Sequence, residues 1–279
     1  MSIITLTTDI GVSDHYVAQM KGVILGINPQ ATIVDVSHSI QPQNILQGAG
    51  VIGEAHRSFP KGVIHMVVVD PGVGTSRSPI LLSTPSAHFL APDNGVLSHI
   101  LSEGYGEPPR LSEEGVSALP PGFQGFHLDN HSYWRDPVSL TFHGRDVFAP
   151  VAAHLSLGVP PASLGIEITS LIYLPPPMPF EEGGFLVGVV TSIDHFGNLV
   201  TNVRAKLVAM HERIEVEVQG RSIYGLSQSY QDADHLLAII GSGGYLEIAV
   251  RNGSAAEALS ARVGLRVRIS PHPPKQAHS

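Results

Sequence analysis

A proline-rich break constrains this chain more than any other stretch. Leu174-Pro175-Pro176-Pro177-Met178-Pro179 is followed by Glu181-Glu182-Gly183-Gly184. Proline fixes φ and has no N–H to give to a ladder, so such a run is stiff, extended and neither helix nor sheet. A chain of 279 residues split in this way is expected to fold as two pieces. The expected domains are 1–173 and 185–279, joined by a linker over 174–184.

The two sides differ in texture. On the first side, Ile3–Thr7 reads as a short apolar strand ending in Thr8-Asp9-Ile10-Gly11. Residues 14–27 have helical spacing, with Tyr16, Met20, Val23, Ile24 and Ile27 on one side, Asp14 placed to cap and Asn28-Pro29 placed to stop. Thr32–Val36 is a second strand and Asn44–Phe59 a second helix. Val63–Val69 is almost wholly apolar, the pattern of a strand buried on both faces. The alternation predicts an α/β domain with a parallel or mixed sheet layered by helices. On the second side, Phe185–Ile193, Leu199–Val203, Ile214–Val218, Leu236–Ile240, Tyr245–Val250 and Leu265–Ile269 are short strand-like runs between turns. They predict an all-β barrel or sandwich. Pro271–Ser279 reads as a frayed polar tail.

Several function classes drop out. Hydrophobic residues make up 43% and charged residues 14%, and 16 basic side chains face 24 acidic ones. That balance excludes disorder and argues against a nucleic-acid binder, which needs a basic face. No apolar run reaches the roughly 18 residues of a membrane span. The start Met1–Thr5 has no basic segment, which points to the cytoplasm. Zero cysteines exclude disulfides, thiolate metal sites and cysteine nucleophiles. There is no Walker A sequence, no GxGxxG after a strand and no GxSxG elbow.

Asp9, His38 and Asp70 punctuate three strand ends, where open α/β sheets bind ligands, although each on its own also fits a turn or cap. Val69-Asp70-Pro71-Gly72-Val73-Gly74-Thr75-Ser76-Arg77 delivers a carboxylate and a guanidinium to one spot. Such a pair either orients a water or simply fixes the loop. In Phe142-His143-Gly144-Arg145-Asp146, His143 beside Gly144 is open to a small ligand or is a satisfied core histidine. Asp146 is expected to cap the following helix, and Arg145 to pair with a surface acid. His127, His131, His143 and His154 share a region, but without HExxH or cysteine the reading is no metal. Gly122–Pro137 reads as a surface loop. In the second half, Asp194-His195-Phe196-Gly197-Asn198 sets polar and aromatic groups between two strands, suited to an ammonium or a base. Gly241-Ser242-Gly243-Gly244-Tyr245-Leu246-Glu247 reads as a backbone cradle or a plain hairpin loop.

Taken together these segments resemble the S-adenosyl-L-methionine (SAM) hydroxide adenosyltransferases, relatives of the bacterial fluorinase and chlorinase. The resemblance runs through Thr8-Asp9-Ile10-Gly11, Met20-Lys21-Gly22, Val34-Asp35-Val36-Ser37-His38, Asp70-Pro71-Gly72-Val73-Gly74 with Arg77, Ala91-Pro92-Asp93-Asn94-Gly95, Phe142–Asp146, Ile193–Asn198 and Gly244–Glu247. It implies an α/β N-terminal and a β-rich C-terminal domain. It also implies a homotrimer, with active sites between one subunit's N-terminal domain and its neighbour's C-terminal domain. Asp9 would hold the ribose hydroxyls. Asn198, Ser242, Glu247 and the Val250 backbone would surround the adenine. Asp194 would meet the methionine amino group, with Phe196 packing nearby. Phe142, Gly144 and Tyr245 complete the substrate-binding set, and Asp70, Arg77 and His143 match the hydrolase's polar triad. Halogenases of the family carry an aromatic residue in place of Asp70 and a tyrosine–serine pair in place of His143-Gly144. The stretch Leu119–Val138 is longer than the hydrolase pattern.

The expected reaction is attack of water or hydroxide on the ribose 5′-carbon of SAM, giving adenosine and L-methionine. His143 and Asp70 would position and deprotonate the water, and Arg77 would stabilise hydroxide character. SAM is the substrate and no cofactor is expected. The competing readings are a SAM-dependent halogenase and a non-catalytic SAM or adenosine sensor.

Overall fold

The structure, a computed structural model, describes residues 2–107, 109–113, 115–208, 214–232 and 235–271. It separates into two compact units, Met1–Pro176 and Pro177–Ser279.

The first unit runs β1 (Ile3–Thr8), α1 (Tyr16–Ile27), β2 (Thr32–Ser37), α2 (Ile45–Ala55), β3 (Val63–Val68), β4 (Pro79–Ser83), β5 (Ala87–Pro92) and α3 (Ser98–Gly104). It continues with β6 (Val116–Ala118), β7 (Gln124–His127), a π-helix Gly144–Phe148, α4 (Ala149–Ser156), α5 (Pro161–Leu164), β8 (Ile166–Ile168) and β9 (Ser170–Ile172). Seven strands form one sheet in the order β2-β1-β3-β5-β4-β7-β8. The pairs β1–β2, β1–β3 and β3–β5 are parallel; β4–β5, β4–β7 and β7–β8 are antiparallel.

Every residue of β3 is buried, as its apolar run requires of a strand covered on both faces. Ile64, Met66 and Val68 face one core with Met20 and Ile24 of α1 and Ala152 of α4; Val67 and Val69 face the other with Ile52 of α2 and Ile100 of α3. Each large side chain buried in this way contributes roughly 1.5–3 kcal/mol. The parallel arrangement brings the carboxyl ends of β1, β2 and β3 together, and Asp9, His38 and Asp70 follow directly from them.

Local departures from the expected pattern have physical reasons. Helix α1 starts at Tyr16 with His15 at its N-cap and no side-chain cap bond, so Asp14 does not cap it. Helix α2 is capped by Asn44, whose side chain accepts from Gln47 N–H, and it ends at Ala55 in a 3₁₀ turn over His56–Ser58. Gly122–Pro137 is not all surface loop: Gln124–His127 is β7, with Phe126 buried against β4.

The second unit contains β10 (Phe180–Glu182), β11 (Phe185–Ile193), β12 (Leu199–Arg204), α6 (Ala205–Val208), β13 (Ile214–Val218), β14 (Arg221–Tyr224), β15 (Leu236–Ile240), β16 (Tyr245–Val250), α7 (Ala255–Ala258) and β17 (Arg266–Pro271). The strands form an antiparallel sheet in the order β14-β13-β17-β11-β12-β16-β15. A bridge from Ser227 to Ile239 draws the two ends toward closure, giving a nearly closed barrel. Within 174–184, Phe180–Glu182 is not extended linker but a strand paired with β11. Gly183 and Gly184, at φ +60° and +82°, make the two-residue hairpin turn that demands positive φ at both positions. The remainder of the expected tail, residues 272–279, lies outside the described residues.

Candidate active site

Asp70 leaves the end of β3 with its side chain 6% exposed, and Arg77 returns toward β4 with its side chain 8% exposed. Between them Thr75 closes the turn, its N–H and hydroxyl both donating to the Gly72 carbonyl at 3.1 and 2.6 Å. Gly74 sits at φ +75°, and a Cβ there would lie 2.2 Å from the Leu140 carbonyl oxygen. Glycine is therefore required for this turn to press against the 139–142 segment. That contact carries Arg77 to His143.

Arg77 Nε donates to Asp70 Oδ1 at 2.9 Å, and its Nη2 donates to Asp70 Oδ2 and lies 2.8 Å from His143 Nδ1. Arg77 Nη1 is buried without a partner. The fork is bidentate, the strongest geometry for this pair. Burial lowers the pKa of His143, and the Arg77 charge lowers it further against the opposing pull of Asp70 and Asp146. The imidazole is therefore neutral at pH 7.

His143 is the N-cap of the π-helix Gly144–Phe148. Asp146 is fully buried. It accepts from Arg145 Nε and Nη2 (both 2.7 Å), from Arg135 Nη1 (3.0 Å) and from Ser139 N–H (2.9 Å). Burial alone pushes its carboxyl pKa up, but Arg145, the Ser139 N–H and the Arg135 charge bring it below the ordinary value. Asp146 thus anchors the segment before the helix rather than capping it, and Arg145 pairs with a buried acid, not a surface one. Gly144 is buried, and a Cβ there would meet Met20 Sδ at 3.0 Å and the Phe142 ring at 3.3 Å.

Phe142 packs edge-on to Tyr16 at 5.2 Å and beneath Arg145 at 5.1 Å. With Ile10, His15, Gln19, Ser139 and Thr141 these three line a hollow of about 320 Å³. Tyr16, placed by helical spacing on one side with Met20 and Ile24, is 40% exposed and belongs to this wall. Asp9, beside Ile10, accepts from Gln43 N–H at 2.7 Å.

In the second unit Asp194 Oδ1 accepts from Phe196 N–H and Asn198 N–H (2.9 Å each), and Oδ2 accepts from Asn198 Nδ2 at 2.8 Å. This fixes the turn and leaves Phe196 74% exposed. Glu247 is buried and accepts from Tyr230 O–H at 3.1 Å. Burial pushes its carboxyl pKa up against that bond, with help from Asp194. Gly241 lies flat on this carboxylate, where a Cβ would fall 1.7 Å from Oε1. Ser242 is exposed in the turn between β15 and β16, and Tyr245 lies under Arg204 at 4.8 Å. Val250 ends β16, roughly 17 Å along the strand from Tyr245, so the structure does not bring it to Ser242. The sequence reading missed Tyr230, Ser139 and Thr141, which lie in polar segments without periodicity, and Gln19, a polar position on the solvent side of α1.

Among the described residues no three His, Asp or Glu side chains are grouped to hold a metal. His131 instead stacks on Trp134 at 4.1 Å and His154 meets Tyr133 at 5.1 Å.

Two family models match the chain: the SAM hydroxide adenosyltransferase N-terminal domain over residues 4–165 and its C-terminal domain over 188–268. The (R)-S-adenosyl-L-methionine hydrolase of Salinispora tropica is 34% identical over 270 residues, covering 96% of this chain and 97% of its own. A fluorinase of Actinoplanes sp. is 29% identical over 306 residues, covering 96% and 97%. The crystal structure of a conserved protein from Thermotoga maritima superposes with a TM-score of 0.84 at 35% identity, covering 96% of this chain and 99% of that one.

Proposed function

From the premise that this chain belongs to the SAM hydroxide adenosyltransferase family and is an enzyme, we propose that it hydrolyses SAM to adenosine and L-methionine. The observation that carries this reading is the contact among Asp70, Arg77 and His143. A fixed carboxylate repels a halide but accepts hydrogen bonds from water, which favours hydrolysis over halogenation.

The proposed step is an in-line displacement. The water oxygen bonds to the ribose 5′-carbon as the bond from that carbon to sulfur breaks. The electron pair stays on sulfur, which leaves as the neutral thioether of methionine. Since the sulfonium is already a good leaving group, no general acid is needed. What the site must supply is position and a proton acceptor.

The hydrogen bonds divide these tasks. A guanidinium has no acceptor, so His143 Nδ1 must accept from Arg77, and a neutral ring then carries its proton on Nε2. His143 is thus a donor to the attacking oxygen, not its base. Asp70 gives one lone pair per oxygen to Arg77 and keeps the others, so it is the group that takes the water proton. The expectation that both residues deprotonate water narrows to Asp70.

In the same proposal Asp9 holds the ribose. Asn198, Ser242, Tyr245 and Glu247 serve the adenine side, Asp194 and Phe196 the methionine side, and Phe142 and Gly144 the reacting end. No cofactor or metal takes part, the enzyme works as a homotrimer with sites shared between subunits, and its location is the cytoplasm.

The test is product analysis after incubating the protein with SAM alone, with fluoride and with chloride. Adenosine and methionine alone, at a rate unchanged by EDTA, are expected. A 5′-halo-adenosine would make it a halogenase, and intact SAM after long incubation a sensor; either result contradicts the proposal.

A further inference from the structure

The carboxyl ends of β1 and β2 are stitched together by polar contacts that the reaction itself does not use. Thr8 Oγ1, fully buried, lies 2.8 Å from His38 Nδ1. Gly11 N–H donates to the His38 carbonyl at 2.8 Å, and Gln43 N–H donates to Asp9 Oδ2 at 2.7 Å. Behind His38, Asp35 Oδ1 lies 3.1 Å from Nε2, while Asp35 Oδ2 accepts from Lys21 Nζ of α1 at 2.6 Å. His38 is the middle link of a line that runs from α1 through β2 to the residue before Asp9.

The line has a direction. Asp35 Oδ1, 3.1 Å away, favours the ring proton on His38 Nε2 although this contact falls outside hydrogen-bond geometry, and Nδ1 then accepts from the Thr8 hydroxyl. The Thr8 oxygen is then left to accept from Ile10 N–H, 3.5 Å away. Asp9 lies between these two anchored residues. Gln43, which grips its carboxylate from the other side, sits at φ +66°. That conformation is unfavourable for a non-glycine residue and persists only where surroundings impose it. Burying a histidine and a hydroxyl in a core is also costly compared with an apolar pair. What polar groups supply there, and apolar ones do not, is orientation.

We infer that His38 is a positioning residue whose contacts with Thr8 and Asp35 aim the Asp9 carboxylate at the substrate. The inference rests on the reading of Asp9 as the group that holds the ribose. It assigns to His38 an effect on binding rather than on the chemical step.

The test is steady-state kinetics with SAM on five variants of the full chain, with thermal melts alongside. His38→Ala and Thr8→Val should each raise KM about tenfold and leave kcat within about threefold. His38→Asn, whose amide reaches where Nδ1 sits, should recover most of that loss, as should Thr8→Ser. Asp9→Ala run in parallel should raise KM at least as much. Should His38→Ala not fold, Thr8→Val, which keeps shape and loses only the hydroxyl, decides alone. An unchanged KM in Thr8→Val, or an equal fall in kcat and stability without rescue by the conservative changes, overturns the positioning role while leaving Asp9 in place. An unchanged KM in Asp9→Ala overturns the Asp9 reading, and this inference with it.

Discussion

Arg77 divides its donors between an acid and an imidazole, and the chemistry of the site follows from that division. Replacing Asp70 by Asn, Arg77 by Gln or His143 by Ala should each lower kcat by about 10²–10⁴-fold, the range for a positioned acid–base group, with KM within about threefold. Stopped assays over a range of SAM concentrations measure both. The pH profile carries a sign. Burial and Arg77 lower the pKa of His143 from 6.5, so the acid limb of kcat/KM should fall below pH 6.5. Arg77→Gln removes the cation that opposes protonation and should move the residual limb upward. At the residue scale much was legible. A carboxylate and a guanidinium seven residues apart around two glycines already described a shared turn. That His143, 66 residues further on, completes it came only through the resemblance, because spacing along the chain does not encode that meeting. His65 lay wholly outside the reading. It is fully buried, 2.7 Å from Thr5 Oγ1 and stacked at 4.9 Å on Phe89, with burial and then His56 lowering its pKa to about 4. Its folded value is below its unfolded one, so its contribution is complete above pH 6.5 and is lost as pH falls from 6.5 toward 4. The loss amounts to about 3 kcal/mol. Urea melts at pH 7 and pH 4 should show that difference shrink by most of this amount in His65→Phe; an unchanged difference would contradict the assignment.

The π-helix ahead of α4 shows how an element was misread for a physical reason. An Asp following Arg before an apolar helical run has the look of an N-cap. The helical path instead begins at Gly144 and continues into α4, so Asp146 is already inside it and turns its carboxylate to two arginines and the Ser139 N–H. Asp146 is buried, but both arginines reach solvent, so breaking the cluster costs less than the loss of one partner from a fully buried pair. Asp146→Asn should lose about 1–3 kcal/mol, the scale of an unmet buried hydrogen-bonding group, in denaturant unfolding and should lower kcat, since the segment that seats His143 is freed. A change under about 0.5 kcal/mol, the scale of an ordinary surface substitution, would show that the anchor is not where the structure puts it. Six strands of the second unit were read nearly to the residue because their apolar runs end at glycine or polar turns. The strand β7 was missed because Gln124-Gly125-Phe126-His127 is short and mixed, and only pairing with β4 makes it a strand.

For the whole molecule, the change in texture across the proline run placed two folding units correctly in kind, one layered and one barrel-like. The order of strands within each sheet was not legible. Beside the parallel strands β2, β1, β3 and β5, the chain reverses in β4, returns in β7 and reverses again in β8; all-apolar strands carry no mark of which neighbour they choose. No helix among the described residues is long and apolar enough to cross a membrane. The central claim is that water attacks the 5′-carbon of SAM, and it is tested most directly by turnover in H₂¹⁸O with mass analysis of the nucleoside. One ¹⁸O at the 5′-hydroxyl of adenosine, in stoichiometry with methionine released, is the predicted result. Adenosine without label, a 5′-halogenated nucleoside in the presence of halide, or recovery of SAM unchanged would contradict it.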